Sequence, residues 1–243
     1  MNKSYLTSNL LIAFILFCSM QIHAQDAGSW NILNVKKNQD QRWSLFGEVQ
    51  LRSLGFYQQF HYYEYKGGFN FKVQPQIQLS MGIGKFNTFS EGGDFKRPMK
   101  NDEFRIWPQV TFSHSFNRLK VEHRYRSEFR FTSAGYKNRF RYRLGLSYAF
   151  GKQMTDKNAF LLCSANEVFF SDKEPFFERN RWLMYVEKKL TPIISLQSGY
   201  IYQFDYKIND ETGKSFFQTG IYLTFQKKKF LSSSINENQL KEF

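Results

Sequence analysis

Cysteine is nearly missing from this chain: of its 243 residues only Cys18 and Cys163 carry thiols, and Cys18 lies in a segment that reads as cleavable. A single remaining thiol excludes an intramolecular disulfide and a cysteine metal cluster, so stability has to come from packing and backbone pairing. Long apolar runs are missing as well. The one sizeable stretch, Leu10 to Met20, is well short of the roughly 20 residues that a spanning helix needs, and Gln21, His23 and Gln25 follow it directly. With Lys3 ahead of it and Ile22-His23-Ala24 behind, it predicts a signal peptide over residues 1–24 and Gln25 as the first mature residue. Phe17 stands before Cys18 where a lipid-attachment site wants a small residue, which argues against a lipoprotein. No Pro/Gly/Ser-rich linker interrupts the remainder, so residues 25–226 read as one domain, followed by a polar tail over 227–243.

Rings, by contrast, are abundant. Phe, Tyr and Trp make up 19% of the residues, yet charged residues make up 23% and the mean hydropathy is −0.53. A soluble core rarely needs so many aromatic side chains. The combination suits a barrel whose outside meets hydrocarbon between aromatic girdles and whose inside is polar. A net charge of +13 with interleaved aromatics also resembles the footprint of a nucleic-acid binder. Export argues against that partner.

Strict alternation over segments of about ten residues, separated by turn-rich gaps and with no helical period after the leader, predicts strands from Gly28 to Phe225. From Trp43 the odd positions Trp43, Leu45, Val49 and Leu51 are apolar, while Ser44, Glu48, Gln50 and Arg52 point the other way. Tyr63, Tyr65, Phe69 and Phe71 alternate with Glu64, Lys66, Asn70 and Lys72, and Phe104, Ile106, Val110 and Phe112 with Glu103, Arg105, Trp107 and Gln109. In Leu119 to Phe131 the even positions Lys120, Glu122, Arg124, Arg126, Glu128 and Arg130 are all charged. Arg139, Arg141 and Arg143 then oppose Phe140, Tyr142 and Leu144, and Arg181 opposes Trp182. The facing of Phe160 to Phe170 stays open. About eleven segments result. Because both ends of such a barrel are expected in the periplasm, the fold is read as an all-β, antiparallel up-and-down transmembrane barrel of about ten strands, with twelve as the alternative.

The charged face predicts a lumen network of Glu103, Arg105, Glu122, Arg124, Arg126, Glu128, Arg130, Arg139, Arg141, Arg143 and Arg181. A turn centred between Phe116 and Asn117 would set Arg105 opposite Glu128 and Glu103 opposite Arg130, and a loop centred between Ala134 and Gly135 would set Arg141 on the far side of Glu128. Opposed unlike charges contribute roughly 0.2 to 1 kcal/mol per pair, so the network favours one register. Two readings follow: a lumen filled by ion pairs, or an anion-preferring pore ringed by arginine.

Catalysis has few candidates. After the leader the histidines are His61, His114 and His123, and parity places His123 toward lipid, an unusual setting for an ionisable group and a weak catalytic candidate for a lipid-modifying enzyme. The plainer role is an imidazole hydrogen-bonded to a neighbouring Tyr or Ser. No Gly-rich phosphate loop, paired-histidine zinc motif or nucleophile elbow is present, so neither a metal nor a cofactor is expected. Trp43, Trp107 and Trp182 could stack a ligand, although girdle or lumen packing is the commoner use.

The segments NDEFRIWPQVTF from Asn101, HRYRSEFRF from His123, RFRYRLGLSYAF, NEVFF, NRWLMYVEKKL and LQSGYIYQF resemble the uncharacterised, Bacteroidetes-type outer-membrane β-barrel family known as domain of unknown function 2490. The resemblance covers roughly Gly28 to Phe225 and implies export to a bacterial outer membrane. It carries no reaction or ligand with it. The expected role is therefore a non-enzymatic barrel serving structure, surface interaction or limited transport. Its expected partners are outer-membrane lipid and the barrel-insertion machinery, not nucleic acid, and any small-molecule ligand stays open. A lipid-modifying enzyme and a soluble periplasmic lipocalin-like binder are the alternatives. One departure is the last strand: Phe225 is followed by Gln226-Lys227-Lys228-Lys229 and the polar tail, not by a terminal aromatic.

Overall fold

The computed structural model describes residues 27–150, 160–206 and 212–227; the leader at 1–24 and the tail beyond Lys227 lie outside them. Eleven strands form one closed barrel: β1 (Gly28–Asn38), β2 (Trp43–Gly55), β3 (Gln58–Gln74), β4 (Ile77–Phe89), β5 (Met99–Phe116), β6 (Leu119–Thr132), β7 (Gly135–Phe150), β8 (Phe160–Ser171), β9 (Phe177–Lys189), β10 (Ile194–Asp205) and β11 (Thr212–Gln226). Consecutive strands pair antiparallel, as their short connections require.

Among the described residues the count is eleven, not ten or twelve, and Gly28–Asn38 is a full member of the wall. It is hydrogen-bonded to β2 on one side and to β11 on the other. The even number rested on both ends meeting at one mouth. With eleven crossings β1 and β11 run in the same direction, and the ring closes through a parallel ladder from Gly28↔Phe216 to Asn38↔Gln226. Parallel pairing is slightly weaker per residue, but closure removes two exposed sheet edges.

Alternation decides which way each side chain faces. Leu45, Val49 and Ile83 stand 49%, 51% and 53% exposed on the outer surface, whereas Glu103, Glu128 and Glu167 inside are 1–2% exposed. A water-soluble barrel has the opposite arrangement, so this is a transmembrane barrel and the soluble-binder alternative falls. Rings collect toward both rims. Trp43 packs on Phe69 and Phe71 at centroid distances of 5.8 and 4.6 Å, and at the other mouth Phe95 packs against Phe60, Tyr63 and Phe89.

Two hairpins set the register of the charged wall. The β5–β6 turn is Asn117-Arg118, with Asn117 at φ 51°, a left-handed conformation that asparagine tolerates. The β6–β7 turn is Ser133-Ala134, followed by Gly135 at φ 107°, where a side chain would be strained. The first turn is centred one residue later than the sequence suggested and the second one residue earlier, so each moves its pairing by two positions.

Inside, the lumen is not an empty tube. Tyr62, Phe86 and Trp107 form one apolar cluster, and Trp30, Ala165, Leu183, Ile201 and Phe216 form a second. Trp107 lies directly across the ladder from Gly82, and a Cβ on Gly82 would come within 2.3 Å of the indole. Only glycine leaves room for that ring.

Candidate functional site in the lumen

The candidate site is the inner face of β5 to β9. The shifted registers place Arg105 opposite Arg130, Arg126 opposite Arg141 and Arg124 opposite Arg143, not the Arg–Glu pairs that the sequence suggested. Glu128 does face a cation directly, namely Arg139. Like charges in direct opposition destabilise a ladder. The carboxylates offset this along the diagonals, because guanidinium stems are long enough to reach a strand neighbour two residues away.

Three buried glutamates organise the arrangement. Glu103 is held by Arg105, Nε to Oε1 at 2.6 Å and Nη2 to Oε2 at 2.9 Å, and by Arg130, whose Nη2 donates to Oε2 at 3.0 Å and whose Nε donates to Oε1. Glu128 accepts from Arg139 Nη2 on Oε2 and from Arg141 Nη1 on Oε1, each at 2.5 Å, with Arg126 at 3.6 Å and Arg105 at 3.8 Å. Glu167 accepts from Arg124 Nη2 at 2.6 Å and Arg141 Nη2 at 2.7 Å, with Arg181 Nη1 at 3.4 Å. Bidentate guanidinium–carboxylate geometry of this kind is among the stronger hydrogen bonding available to side chains. At the mouth Glu178 joins Arg130, Arg139 and Lys137 at 3.3–3.4 Å.

Of the residues that the sequence singled out, Glu103, Arg105, Arg124, Arg126, Glu128, Arg130, Arg139, Arg141 and Arg181 share these contacts. Glu122 does not. It pairs with Lys120 at 2.9 Å near the opposite mouth, half-exposed. Arg143 lines the lumen directly opposite Glu167 on β8, yet among the described residues it makes no ion pair with that carboxylate, whose oxygens turn to Arg124, Arg141 and Arg181.

Several members carry no clear signal in the sequence. Glu167 sits on β8, where Ser164 and Asn166 face outward and Cys163 and Ala165 inward. With polar and apolar residues on both faces, alternation gives no parity for that strand. A second ionic group stands on β2 and β3. Glu64 accepts from Arg52 Nη2 at 3.0 Å and from Tyr62 and Lys66, and Lys66 also reaches Glu48 at 2.6 Å. Parity did give the lumen face of Glu48, Arg52, Glu64 and Lys66, but a single strand shows no partner. The Arg52 guanidinium also lies 3.3 Å from the Trp30 ring centroid and 4.0 Å from that of Tyr62, a cation–π sandwich.

Between these walls lies a cavity of about 430 Å³. Its lining holds thirteen Lys and Arg against six Asp and Glu, and counting the buried Glu128 as a seventh acid still leaves an excess of six cations. Trp107 belongs to this lining, whereas Trp43 and Trp182 face outward. His123 also faces outward, its Nδ1 2.9 Å from the Tyr142 hydroxyl, and among the described residues it has no nucleophile or carboxylate beside it. No group of three or more His, Cys, Asp or Glu among the described residues could hold a metal ion.

The family model described as a protein of unknown function, DUF2490, matches residues 27–214, from the start of β1 into β11. This chain belongs to that family. Among solved structures the DUF2490 chain is similar to the NanC porin in a rhombohedral crystal form, at 12% identity over 72% of this chain and 84% of that one, with a TM-score of 0.45. No curated protein matches it. Nearly all of the lumen network of this DUF2490 barrel falls inside the matched span.

Proposed function

We propose that this protein is a non-enzymatic barrel of a bacterial outer membrane, exported through its leader, that gives small anions restricted passage and is not an open water-filled pore. The supporting observation is the lumen itself: glutamates clamped by arginines and two apolar clusters narrow it, and what space remains has a cationic lining. Arginine-lined constrictions favour anions over cations. In this reading the outer belt faces membrane lipid, the insertion machinery receives the chain, and no cofactor takes part.

Planar-bilayer recording of the purified barrel under a KCl gradient tests the proposal. Small conductance steps with a reversal potential on the chloride side are expected. A large conductance, a cation-selective reversal potential, or no channel events together with no chloride flux into proteoliposomes would overturn it.

A further inference from the structure

We infer that Arg124, Arg126 and Arg143 form a binding site for a carboxylate or phosphate group borne by a small polar molecule. This deepens the anion-passage reading by placing a stopping point within the lumen.

Positive charge is incompletely compensated on the inner face of β6 and β7. Arg124 and Arg143 oppose each other across β6 and β7, and Arg126 and Arg141 do so one step along. Two carboxylates, Glu128 and Glu167, serve this square of guanidiniums, and both are already committed elsewhere, to Arg139 and to Arg181. Arg141 takes one oxygen of each, at 2.5 and 2.7 Å, and Arg124, at 2.6 Å, shares Glu167 with it and with Arg181. Arg126 is left with the neutral Gln109 Oε1 as its close partner, at 2.8 and 2.7 Å, and Glu128 only at 3.6 Å. Arg143 has no ion pair or side-chain hydrogen bond among the described residues, alone of the six lumen arginines on β6 and β7.

Arg126 and Arg143, which lack a close acid, flank Arg124, which has only a share of one, and such a group favours an anion from outside. All three arginines line the 430 Å³ cavity, which lies within the range of small-molecule sites. The same lining carries Tyr185 and Tyr222, whose hydroxyls can donate to an oxyanion, and Trp107, whose ring is 5.2 Å from the Arg126 guanidinium carbon. Planar guanidiniums suit a carboxylate or phosphate better than chloride, because two N–H donors can meet two oxygens. The cavity has space for a molecule of hexose size behind that group.

Isothermal titration of the whole barrel in detergent, with inorganic phosphate, gluconate, glucose 6-phosphate and glucose as probes, tests the site. Saturable binding of at least one anionic probe and none of glucose is expected. Phosphate and gluconate taken singly separate the two oxyanion chemistries. R143Q should weaken that binding at least tenfold while heat-modifiable migration stays that of the parent, R143K should fall between, and R42Q in the β1–β2 turn should leave it unchanged. Absence of binding by the parent, equal binding of glucose, or equal losses in R143Q and R42Q would overturn the site. If R143Q does not fold, R126Q takes its place with the same expectations. Binding without ion flux would sink the passage reading and leave this site standing; anion-selective flux with R143Q binding like the parent would do the reverse.

Discussion

Glu128 divides its two carboxylate oxygens between neighbouring arginines of β7, Oε2 to Arg139 and Oε1 to Arg141, both at 2.5 Å. Removing that charge takes the closest carboxylate from Arg139 and one of two from Arg141, and takes the nearest acid from Arg126 at 3.6 Å. Breaking one side of a buried pair typically costs about 3–5 kcal/mol. E128Q should lower the temperature at which the folded band converts on semi-native gels by many degrees. Conversion at the parental temperature would show that the ion pairs are not what fixes the lumen.

The fit of Trp107 over Gly82 predicts an asymmetric glycine response. A Cβ at Gly82 meets the indole at 2.3 Å, while one at Gly47 has nothing within 4 Å. Overpacking of this kind costs about 1–3 kcal/mol. G82A should shift tryptophan fluorescence and reduce stability to denaturant, and G47A should do neither.

The outer belt predicts a response to charge. Val49 stands at the middle of β2 with half its surface exposed. An arginine at the bilayer midplane of a barrel costs about 2–4 kcal/mol. V49R should therefore lower folding efficiency into phospholipid vesicles, measured by protection from protease, and a neutral result would place this face in water.

At the loop mouth, Asp172 accepts from the Asn138 side chain at 2.7 Å and from its backbone N–H at 2.9 Å. The side-chain bond first, and the backbone bond with it, holds this carboxyl below the usual aspartate range. A depressed acid contributes its tether in full above the ordinary aspartate pKa and loses it as pH falls through the lowered value. Pepsin cleavage at the exposed Phe176 of the same loop should therefore accelerate only in strong acid, and D172N should remove that pH dependence.

Much of the wall was legible from residue order alone, because a strand's period of two is a geometric fact that Leu119 to Phe131 displays without exception. Register was not. Charge complementarity favoured Arg105 against Glu128, but the turns at Asn117 and Gly135 outweigh one favourable pair, and the long guanidiniums recover the contact along a diagonal. Glu167 stayed hidden because β8 mixes polarity on both faces, as would any strand whose lumen side is lined by Cys163, Ala165 and Phe169. The strand number is not legible for a different reason: nothing local in Gly28–Asn38 reports that its second edge meets β11 in parallel.

That parallel seam governs how the molecule can be used by its surroundings. A thread that crosses a sheet of lipid an odd number of times enters from one compartment and leaves into the other. Gly28 and Gln226, the first and last residues of the described wall, therefore open onto two different solutions.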